Sequence, residues 1–336
     1  MAEIEQAIEQ AASGDDLSEA QTAALIDEML SGASAPEQVG RLLLTLREKG
    51  EAVSEIVGAA RAMRRHMTRI PHHHEVLLDT CGTGGSRSGS FNISTAIAIV
   101  TAACGVAVAK HGNRKATSVT GSADVLEELG VPIESDADAV ARSLDENGLC
   151  FCFAVKLHPA MRHVVAVRKK LGVKTLFNLL GPLCNPAGAT HQLLGTSDPL
   201  SQQKIARAIA ALGTKRSYVV HASDGQDEVS LDGHTDVLPV SGSTLEDKQQ
   251  WTPADFGLLP AGMEALVAAD PADSAAIIRR ILDGEPGPCR DTVLAGTAAA
   301  LHLVGQVSSL AEGTLEAAKA IDDGRAKEKL VKLAAK

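Results

Sequence analysis

A glycine-rich segment between an apolar strand and an apolar helix constrains the fold of this chain more than any other feature. Strand residues 76–78 lead into DTCGTGGSRSGSFNIST, residues 79 to 95, and an apolar run at 93–103 then predicts a buried helix. Glycine permits positive φ and close approach to a ligand, and a helix start presents unpaired N–H groups with partial positive charge. The segment therefore predicts either a phosphate cradle or a plain strand-to-helix turn. Its glycine spacing matches neither the dinucleotide-binding nor the Walker pattern.

A second polar segment follows another short apolar strand at 106–109. Its sequence, KHGNRKATSVTGSADVLEELG (110 to 130), places four Lys, Arg or His residues within six positions. Lysine supplies a point charge, and asparagine and hydroxyl groups supply fixed hydrogen-bond partners, so the segment suits an anionic ligand. Ser122 or Asp124 is expected to cap a helix at 125–129. A capped polar loop would explain the cap but not the cations, so an anion site is the favoured interpretation.

The order of the predicted elements indicates an α/β fold class. Residues 1–70 show only helical periodicity, with helices expected at 17–30, 36–49 and 53–67 and with Ser34 and Pro36 as a cap and first turn. Further on, short strands alternate with helices, and the strands are predicted at 76–79, 106–109, 149–154, 191–195 and 217–221. We therefore expect a small all-helical N-terminal domain (1–70), joined by part of 158–185. A larger α/β domain (71–336) should hold a central, mostly parallel sheet. Both polar segments follow strand ends, where ligands gather in such sheets.

Charge and composition exclude several classes of function. A formal charge of −10 argues against a nucleic-acid partner, which would need a strongly basic patch beyond the two loops. The N-terminus lacks an apolar core suited to secretion, and the longest apolar run is too short to span a bilayer. Six cysteines without a C-x-x-C pair suit reduced thiols. We therefore expect a cytoplasmic protein without a membrane partner. Cys81 lies beside the cradle but has no base near it in sequence.

An acidic pair follows the strand predicted at 217–221. Asp224-Gly225-Gln226 signals a turn, and in a loop the carboxylates of Asp227 and Glu228 can converge on one cation. Mg²⁺ prefers few carboxylates together with waters and ligand phosphates, so the pair suits magnesium beside a diphosphate. Taken alone, an acidic turn facing water is the simpler interpretation.

Arg168 is a candidate partner for a carboxylate. A helix is expected to begin near His158, and positions 158, 161, 165 and 168 are expected on one of its faces. The planar guanidinium matches a carboxylate in a bidentate way that lysine cannot reproduce. The structural alternative is an ordinary surface ion pair.

Several segments together resemble one family. GTGG-x(6)-NIST, KHGNR and GSADVLEELG are similar to anthranilate phosphoribosyltransferases, as are residues 158–187 and SDGQDEVS (223 to 230), in the same order over nearly the whole chain. The resemblance implies transfer of the phosphoribosyl group from phosphoribosyl pyrophosphate to the amine of anthranilate, with release of pyrophosphate, in tryptophan biosynthesis. It also implies Mg²⁺ as cofactor and a homodimer.

The resemblance further implies roles for particular residues. Sugar-diphosphate contacts fall on Gly82, Gly85, Ser86, Ser90, Asn92, Ser94, Thr95, Lys110, His111, Gly112, Asn113, Arg114, Thr117, Ser118 and Ser122. Anthranilate contacts fall on Gly82, Asn113 and Arg168, and magnesium ligands on Ser94, Asp227 and Glu228. No catalytic acid or base is assigned, because the attacking amine becomes acidic only after attack.

Two alternative functions stay open at this point. Pyrimidine nucleoside phosphorylases share the fold and a similar Lys-His-Gly segment, but the hydroxyl-rich NIST run and the acidic pair argue against phosphorolysis. A non-catalytic relative that binds nucleotides or nucleic acid is the other alternative. The acidic net charge and the retained KHGNR and Asp-Glu segments argue against it.

Four residues depart from the family pattern: Ser86 where aspartate is usual, Thr117 for serine, Val155 for proline and Lys174 for arginine. Ser86 matters most, because a carboxylate near the phosphates or the metal is missing. We predict that Ser86 still hydrogen-bonds the ligand but alters the magnesium dependence. Titration of activity with magnesium should give different curves for the wild type and Ser86→Asp, and superimposable curves would contradict the prediction.

Overall fold

The computed structural model describes residues 2–84, 89–115 and 119–335. Its α-helices are α1 (Ala2–Ala12), α2 (Glu19–Ser31), α3 (Pro36–Lys49), α4 (Val53–His66), α5 (Ile93–Ala103), α6 (Ser122–Glu128), α7 (Ala137–Asn147), α8 (Ala154–Leu157), α9 (Arg162–Leu171), α10 (Leu176–Leu180), α11 (Pro199–Leu212), α12 (Pro271–Leu282), α13 (Pro288–Leu303), α14 (Leu310–Asp322) and α15 (Arg325–Ala334). Its strands are β1 (Leu78–Gly82), β2 (Val108–Gly112), β3 (Leu149–Phe153), β4 (His191–Gly195), β5 (Arg216–Ala222), β6 (Thr235–Ser241), β7 (Thr244–Leu245) and β8 (Gln249–Trp251). None of the helices in these ranges is long and apolar enough to cross a membrane.

The helical domain is built from α1 to α4. Ser18 caps α2 with a reciprocal pair of hydrogen bonds to Gln21, an arrangement that satisfies two backbone donors. The expected cap of α3 by Ser34 is wrong: Ala35 is the N-cap, Pro36 is the first helical residue, and the Ser34 hydroxyl donates to Glu28 instead. α9 packs against α2 and α3, and α10 packs against α4, so chain from beyond residue 160 covers the helical domain.

Glu55 holds the helical domain together from inside. Its carboxylate is fully buried and accepts the backbone N–H groups of Leu17 (2.9 Å) and Ala52 (2.8 Å). The Lys49 ammonium lies 3.2 Å from the same carboxylate. A buried charge is tolerated only when it is paired and hydrogen-bonded. Here its partners come from the α1–α2 connection, the α3–α4 connection and the last residue of α3.

The sheet confirms the predicted fold class of a helical domain beside an α/β domain with a mostly parallel sheet. The strand order is β3-β2-β1-β4-β5-β6-β7, and β1 to β5 run parallel. Strands β6, β7 and β8 were not predicted from the sequence, and they extend the sheet with antiparallel pairing. Alternate strand residues enter opposite cores, as Leu193 and Leu194 do. One core is filled by α5 and the C-terminal helices, and the other continues into the helical domain.

The order in which successive strands are added to the sheet reverses between β1 and β4. β2 and β3 lie to one side of β1, whereas β4 and β5 lie to the other, so a crevice opens at the carboxyl ends of β1 and β4. Strands β1 and β2 each begin two residues later than predicted, and Gly82 and Gly112 are their last residues. The first residues of both polar segments are therefore strand residues that a rigid sheet positions at the crevice.

Removal of the Glu55 carboxylate should strongly destabilise the helical domain. Glu55→Ala leaves two buried N–H groups without an acceptor and removes one of the two carboxylates paired with Lys49, the other being Asp16, so the free energy of unfolding should fall by about 3–5 kcal/mol. Urea unfolding measures this loss. The matched control is Glu48→Ala, which removes an exposed carboxylate and should change stability by less than about 0.5 kcal/mol. Equal effects of the two variants would contradict the prediction.

Candidate active site

The Lys110 side chain is the buried cation at the crevice. Its residue exposure is only 4%, and its Nζ donates to the Thr80 carbonyl (2.6 Å) and to Ser94 Oγ (3.1 Å). Burial lowers the pKa of Lys110, while the nearby charges of Asp79 and Glu228 act in the opposite direction. The ammonium is thus held rigidly by β1 and the first turn of α5.

The acidic pair lies on the connection between β5 and β6, directly above the ends of β1 and β4. Asp227 Oδ2 accepts the Gly84 N–H at 3.1 Å. A Cβ on Gly82 would lie 2.4 Å from Asp227 Oδ2, and one on Gly195 would lie 1.6 Å from the Asp227 carbonyl oxygen. The two strand-end glycines therefore allow the acidic loop to rest on the backbone of the sheet.

The acidic pair is suited to a divalent cation. Burial, together with the charge of Asp227, raises the pKa of Glu228 to about 8, against the opposing effects of Lys110 and the Ser94 N–H. A positive ion would relieve this cost, and two carboxylates with a serine hydroxyl resemble the sparse oxygen sets that Mg²⁺ accepts. Among the described residues no group of three or more His, Cys, Asp or Glu side chains gathers around a metal position, so waters or ligand phosphates would supply the remaining ligands.

Ser94 joins the cation, the acidic pair and the helix start. Its Oγ accepts from Lys110, and its carbonyl accepts from the Thr80 hydroxyl at 3.0 Å. Its backbone N–H lies beside Glu228 and acts to lower the pKa of that carboxyl. The next residue, Thr95, is buried, and its hydroxyl has no hydrogen-bond partner among the residues that the structure describes. A helix N-terminus that carries an unsatisfied hydroxyl is a suitable environment for an anion.

His111 faces inward. Its ring is buried, with Nδ1 3.0 Å from the Gly181 carbonyl oxygen and Nε2 3.2 Å from Nε2 of His158. Burial lowers the pKa of His111 to about 3 and that of His158 to about 4, so both rings are neutral at pH 7. The pair connects β2 to the 3-10 turn at Pro159–Met161 and the one at Gly181–Leu183.

The residues that follow β2 fold back on one another. Arg114 forms ion pairs with Asp124 and Glu127 on the surface, which engages the guanidinium that the resemblance assigned to the sugar diphosphate. Asn113 accepts the Arg114 N–H on Oδ1 and the Ser122 hydroxyl on its carbonyl. Gly112 has no room for a side chain, because a Cβ there would lie 2.1 Å from Ser122 Oγ.

The expected cap of α6 is also different in the structure. The helix begins at Ser122 itself with Gly121 as N-cap, so Ser122 does not cap it. Asp124 instead accepts the N–H groups of Gly121 and Lys115, at 3.2 and 2.9 Å. The Asp124 carboxylate therefore closes the loop that precedes α6. It also satisfies the N–H group of the N-cap residue, Gly121, at the start of the helix.

Arg168 lies on α9, but the face proposed for it is wrong. His158 precedes the 3-10 turn at Pro159–Met161 and is buried, whereas Val165 is 50% exposed, so these residues do not line one surface. The Arg168 guanidinium stacks on the Phe177 ring at 5.4 Å and lies 3.5 Å from Asn178 Oδ1. It makes no ion pair to a described residue and retains donors for a carboxylate.

Gly85, Ser86, Thr117 and Ser118 lie outside the described residues, so their assigned contacts stay predictions. Ser90 forms an isolated antiparallel bridge with Val267. Cys81 precedes Gly82 on β1, where burial and the nearby Asp79 raise the pKa of its thiol well above the usual range. A thiol held in that form is a poor nucleophile.

Sequence reasoning missed the residues that support the site from below. Asp79 is completely buried and accepts the His111 N–H at 3.1 Å. Gly195, like Gly82, leaves room for the backbone or side chain of Asp227 above the strand end. Gly195 was detectable, because it ends a predicted strand in an LLGTSD run. Asp79 gave no such signal, because its burial depends on the neighbouring strands.

Two family models match the two parts of the fold. Residues 5–67 match the helical bundle domain of a glycosyl transferase family, and residues 74–327 match the a/b domain of a glycosyl transferase family. The fold and the site therefore define a two-domain glycosyl transferase.

Named relatives narrow this class. An anthranilate phosphoribosyltransferase of Rhodopirellula baltica is 69% identical over 328 residues, which cover 98% of this chain and 96% of that protein. The chain belongs to the anthranilate phosphoribosyltransferase family. The crystal structure of the enzyme from Thermus thermophilus superposes with a TM-score of 0.92 at 41% identity, with 98% of each chain covered.

The Saccharomyces cerevisiae enzyme gives two further likenesses. Its structure in complex with PRPP and Mg superposes with a TM-score of 0.91 at 28% identity and covers 99% of this chain and 97% of that one. Its complex with 4-fluoroanthranilate gives a TM-score of 0.89 at 27% identity, with the same coverage.

The neutral histidine pair should make stability fall with acidification. Both folded-state pKa values lie below the ordinary value of 6.5, so the unfolded chain binds more protons between about pH 6.5 and pH 3 to 4. Their contribution is complete above pH 6.5 and is lost as pH falls through that window, by up to about 1.4 kcal/mol per pH unit for each histidine.

Urea unfolding at several values of pH between 7 and 5 tests this. His158→Gln should flatten the dependence of the unfolding free energy on pH, whatever its effect at pH 7. His73→Gln removes an exposed histidine and should leave the dependence unchanged. The same slope in His158→Gln and the wild type would contradict the assignment.

Proposed function

We propose that this protein transfers the phosphoribosyl group of phosphoribosyl pyrophosphate to the amine of anthranilate and releases pyrophosphate, as a step of tryptophan biosynthesis. The observation that carries the proposal is the position of Ser94. Its hydroxyl accepts from the buried Lys110 ammonium, its backbone N–H lies beside Glu228 of the acidic pair, and it belongs to the first turn of α5. A diphosphate with its metal ion needs these three kinds of partner at one place.

The relatives support both substrates. The yeast enzyme has been solved with PRPP and Mg and with 4-fluoroanthranilate, and its chain superposes over nearly the full length of this one. We propose that the diphosphate occupies the crevice at the carboxyl ends of β1 and β4, beside Lys110 of β2, and that Ser94, Asp227 and Glu228 hold Mg²⁺. When bound, Mg²⁺ neutralises charge on the departing pyrophosphate.

The chemistry asks for electrostatic stabilisation and alignment. The bond between C1 of the ribose and the pyrophosphate oxygen breaks, and a bond between C1 and the anthranilate nitrogen forms. Negative charge grows on the leaving group while positive charge develops on the ribose ring. Lys110 and the N–H groups at the start of α5 stabilise that negative charge, and they need no rearrangement because β1 and β2 already fix them. The nitrogen loses its proton after attack, when it is acidic, so no strong base is required.

Arg168 is proposed to orient anthranilate. Its guanidinium is half-buried, and burial lowers its pKa without removing its charge. The stack on Phe177 fixes the guanidinium plane, and the remaining N–H groups are available to a carboxylate. Asn113 and Gly82 would complete the pocket, as the resemblance implies.

A homodimer and a cytoplasmic location belong to the same proposal. They rest on family membership and on the expectations from the sequence. Light scattering on the purified protein measures the oligomeric state, and a monomer would remove the dimer from the proposal.

The assay follows the loss of anthranilate fluorescence in the presence of phosphoribosyl pyrophosphate and Mg²⁺. The wild type should turn over, and Lys110→Ala should lower kcat/KM by about 100-fold or more, because a preorganised donor to the leaving group is lost. Arg168→Ala should raise the KM for anthranilate by about 10- to 100-fold, with a much smaller effect on the KM for the sugar diphosphate.

Matched variants separate these effects from general damage. Lys215→Ala removes an exposed lysine before β5, and Arg162→Ala removes an exposed arginine from the same helix as Arg168. Both should retain wild-type kinetics. A correctly folded wild type that does not consume anthranilate would refute the proposed function, and phosphorolysis of uridine by that protein would favour the phosphorylase alternative.

A further inference from the structure

We propose that Thr120 and Ser274 are positioning residues that fix the orientation of the Asn92 amide, so that its Nδ2 hydrogens face the sugar diphosphate. The inference deepens the proposed function and rests on it. Neither residue belongs to the set that the family resemblance assigned to a ligand.

The Asn92 oxygen is saturated by two hydroxyl donors. The Thr120 hydroxyl donates to Asn92 Oδ1 at 2.6 Å, and the Ser274 hydroxyl donates to the same oxygen at 3.0 Å. Ser274 Oγ also accepts the backbone N–H of Asn92 at 3.0 Å. One serine therefore holds both the main chain and the side chain of the residue that caps α5.

The other end of the same amide is available for a ligand. Asn92 Nδ2 makes no hydrogen bond to a group in the described part of the chain, although Asn92 is half-buried beside the start of α5. An amide has an acceptor end and a donor end of nearly equal size. If it turned over, it would present an oxygen to a phosphate oxygen, which would repel the ligand. The two hydroxyls favour the observed orientation. Ser274 Oγ already accepts the Asn92 backbone N–H and donates its own hydrogen to Oδ1, so this hydrogen would lose its acceptor if the amide turned over.

The three residues come from three separate parts of the chain. Asn92 follows β1, Thr120 follows β2, and Ser274 lies completely buried in the first turn of α12. Thr120 thus ties the two polar segments to each other, and Ser274 ties them to a helix that is 182 residues from Asn92 in sequence. The position of one donor toward the ligand depends on all three segments.

Steady-state kinetics of Ser274→Ala and Thr120→Val test the proposal. Each variant should raise the KM for phosphoribosyl pyrophosphate by about 5- to 10-fold, the effect of one hydrogen bond, and leave the KM for anthranilate within about 2-fold. Two buried hydroxyls that lack a described partner provide matched controls: Ser217→Ala in β5 and Thr101→Val in α5. Both controls should leave the two KM values unchanged.

A double-mutant cycle with Asn92→Ala distinguishes positioning from a general structural effect. If Ser274 acts through Asn92, Ser274→Ala should cause less than about a 2-fold further rise in KM once the amide is gone. A further rise as large as in the wild type would overturn the proposal. So would a lowered melting temperature of Ser274→Ala and Thr120→Val with unchanged KM for the sugar diphosphate.

Calorimetric titration with magnesium pyrophosphate keeps this test separate from the proposed function. Pyrophosphate affinity should fall in Ser274→Ala and Thr120→Val by a similar factor, even in a protein without turnover. Loss of wild-type turnover with this pattern intact would refute only the proposed function. Wild-type turnover with equal pyrophosphate affinity in all variants would refute only the positioning role.

Discussion

The ammonium group of Lys110 carries its charge inside the protein, and the rest of the site is arranged around that charge. Burial opposes the charged form, so hydrogen bonds to Thr80 and Ser94 and the nearby carboxylates must compensate. The compensating groups come from three elements: β1, α5 and the β5–β6 connection. A parallel sheet that reverses its order between β1 and β4 brings these elements together, and the same arrangement leaves a crevice for an anion.

The fold was predictable where local pattern decides the structure. α3 and α5 begin and end at the predicted residues, and all five parallel strands are present. The end of β2 was predicted too early, because Lys110 and His111 are polar residues that become strand residues only through partners in the folded chain. The antiparallel strands were missed for a similar reason: β6 contains Pro239, which is unfavourable within a sheet, and β7 and β8 have only two and three residues.

The site was predictable in composition more than in geometry. Glycine and lysine loops at strand ends indicate an anion, and Lys110, Ser94 and the acidic pair do meet in the structure. Arg114 has the right chemistry, but Asp124 and Glu127 engage it on the surface. One sequence does not reveal the supporting roles of Asp79, Thr120 and Ser274, since these roles depend on contacts between segments that are distant along the chain. Ser274, for example, resembles any other serine in the first turn of a helix.

The loop before α5 is held by backbone hydrogen bonds from a late part of the chain. Phe91 donates its N–H to the Leu266 carbonyl, and Ala268 donates to the Gly89 carbonyl. During synthesis, residues 1–265 of the 336 would leave the ribosome before these two hydrogen bonds could form. Competence to bind the phosphorylated substrate should therefore arise late, after residues 266–268 have emerged and docked. Ligand affinity would then report completion of the tertiary fold, and a prematurely terminated chain would not sequester the metabolite.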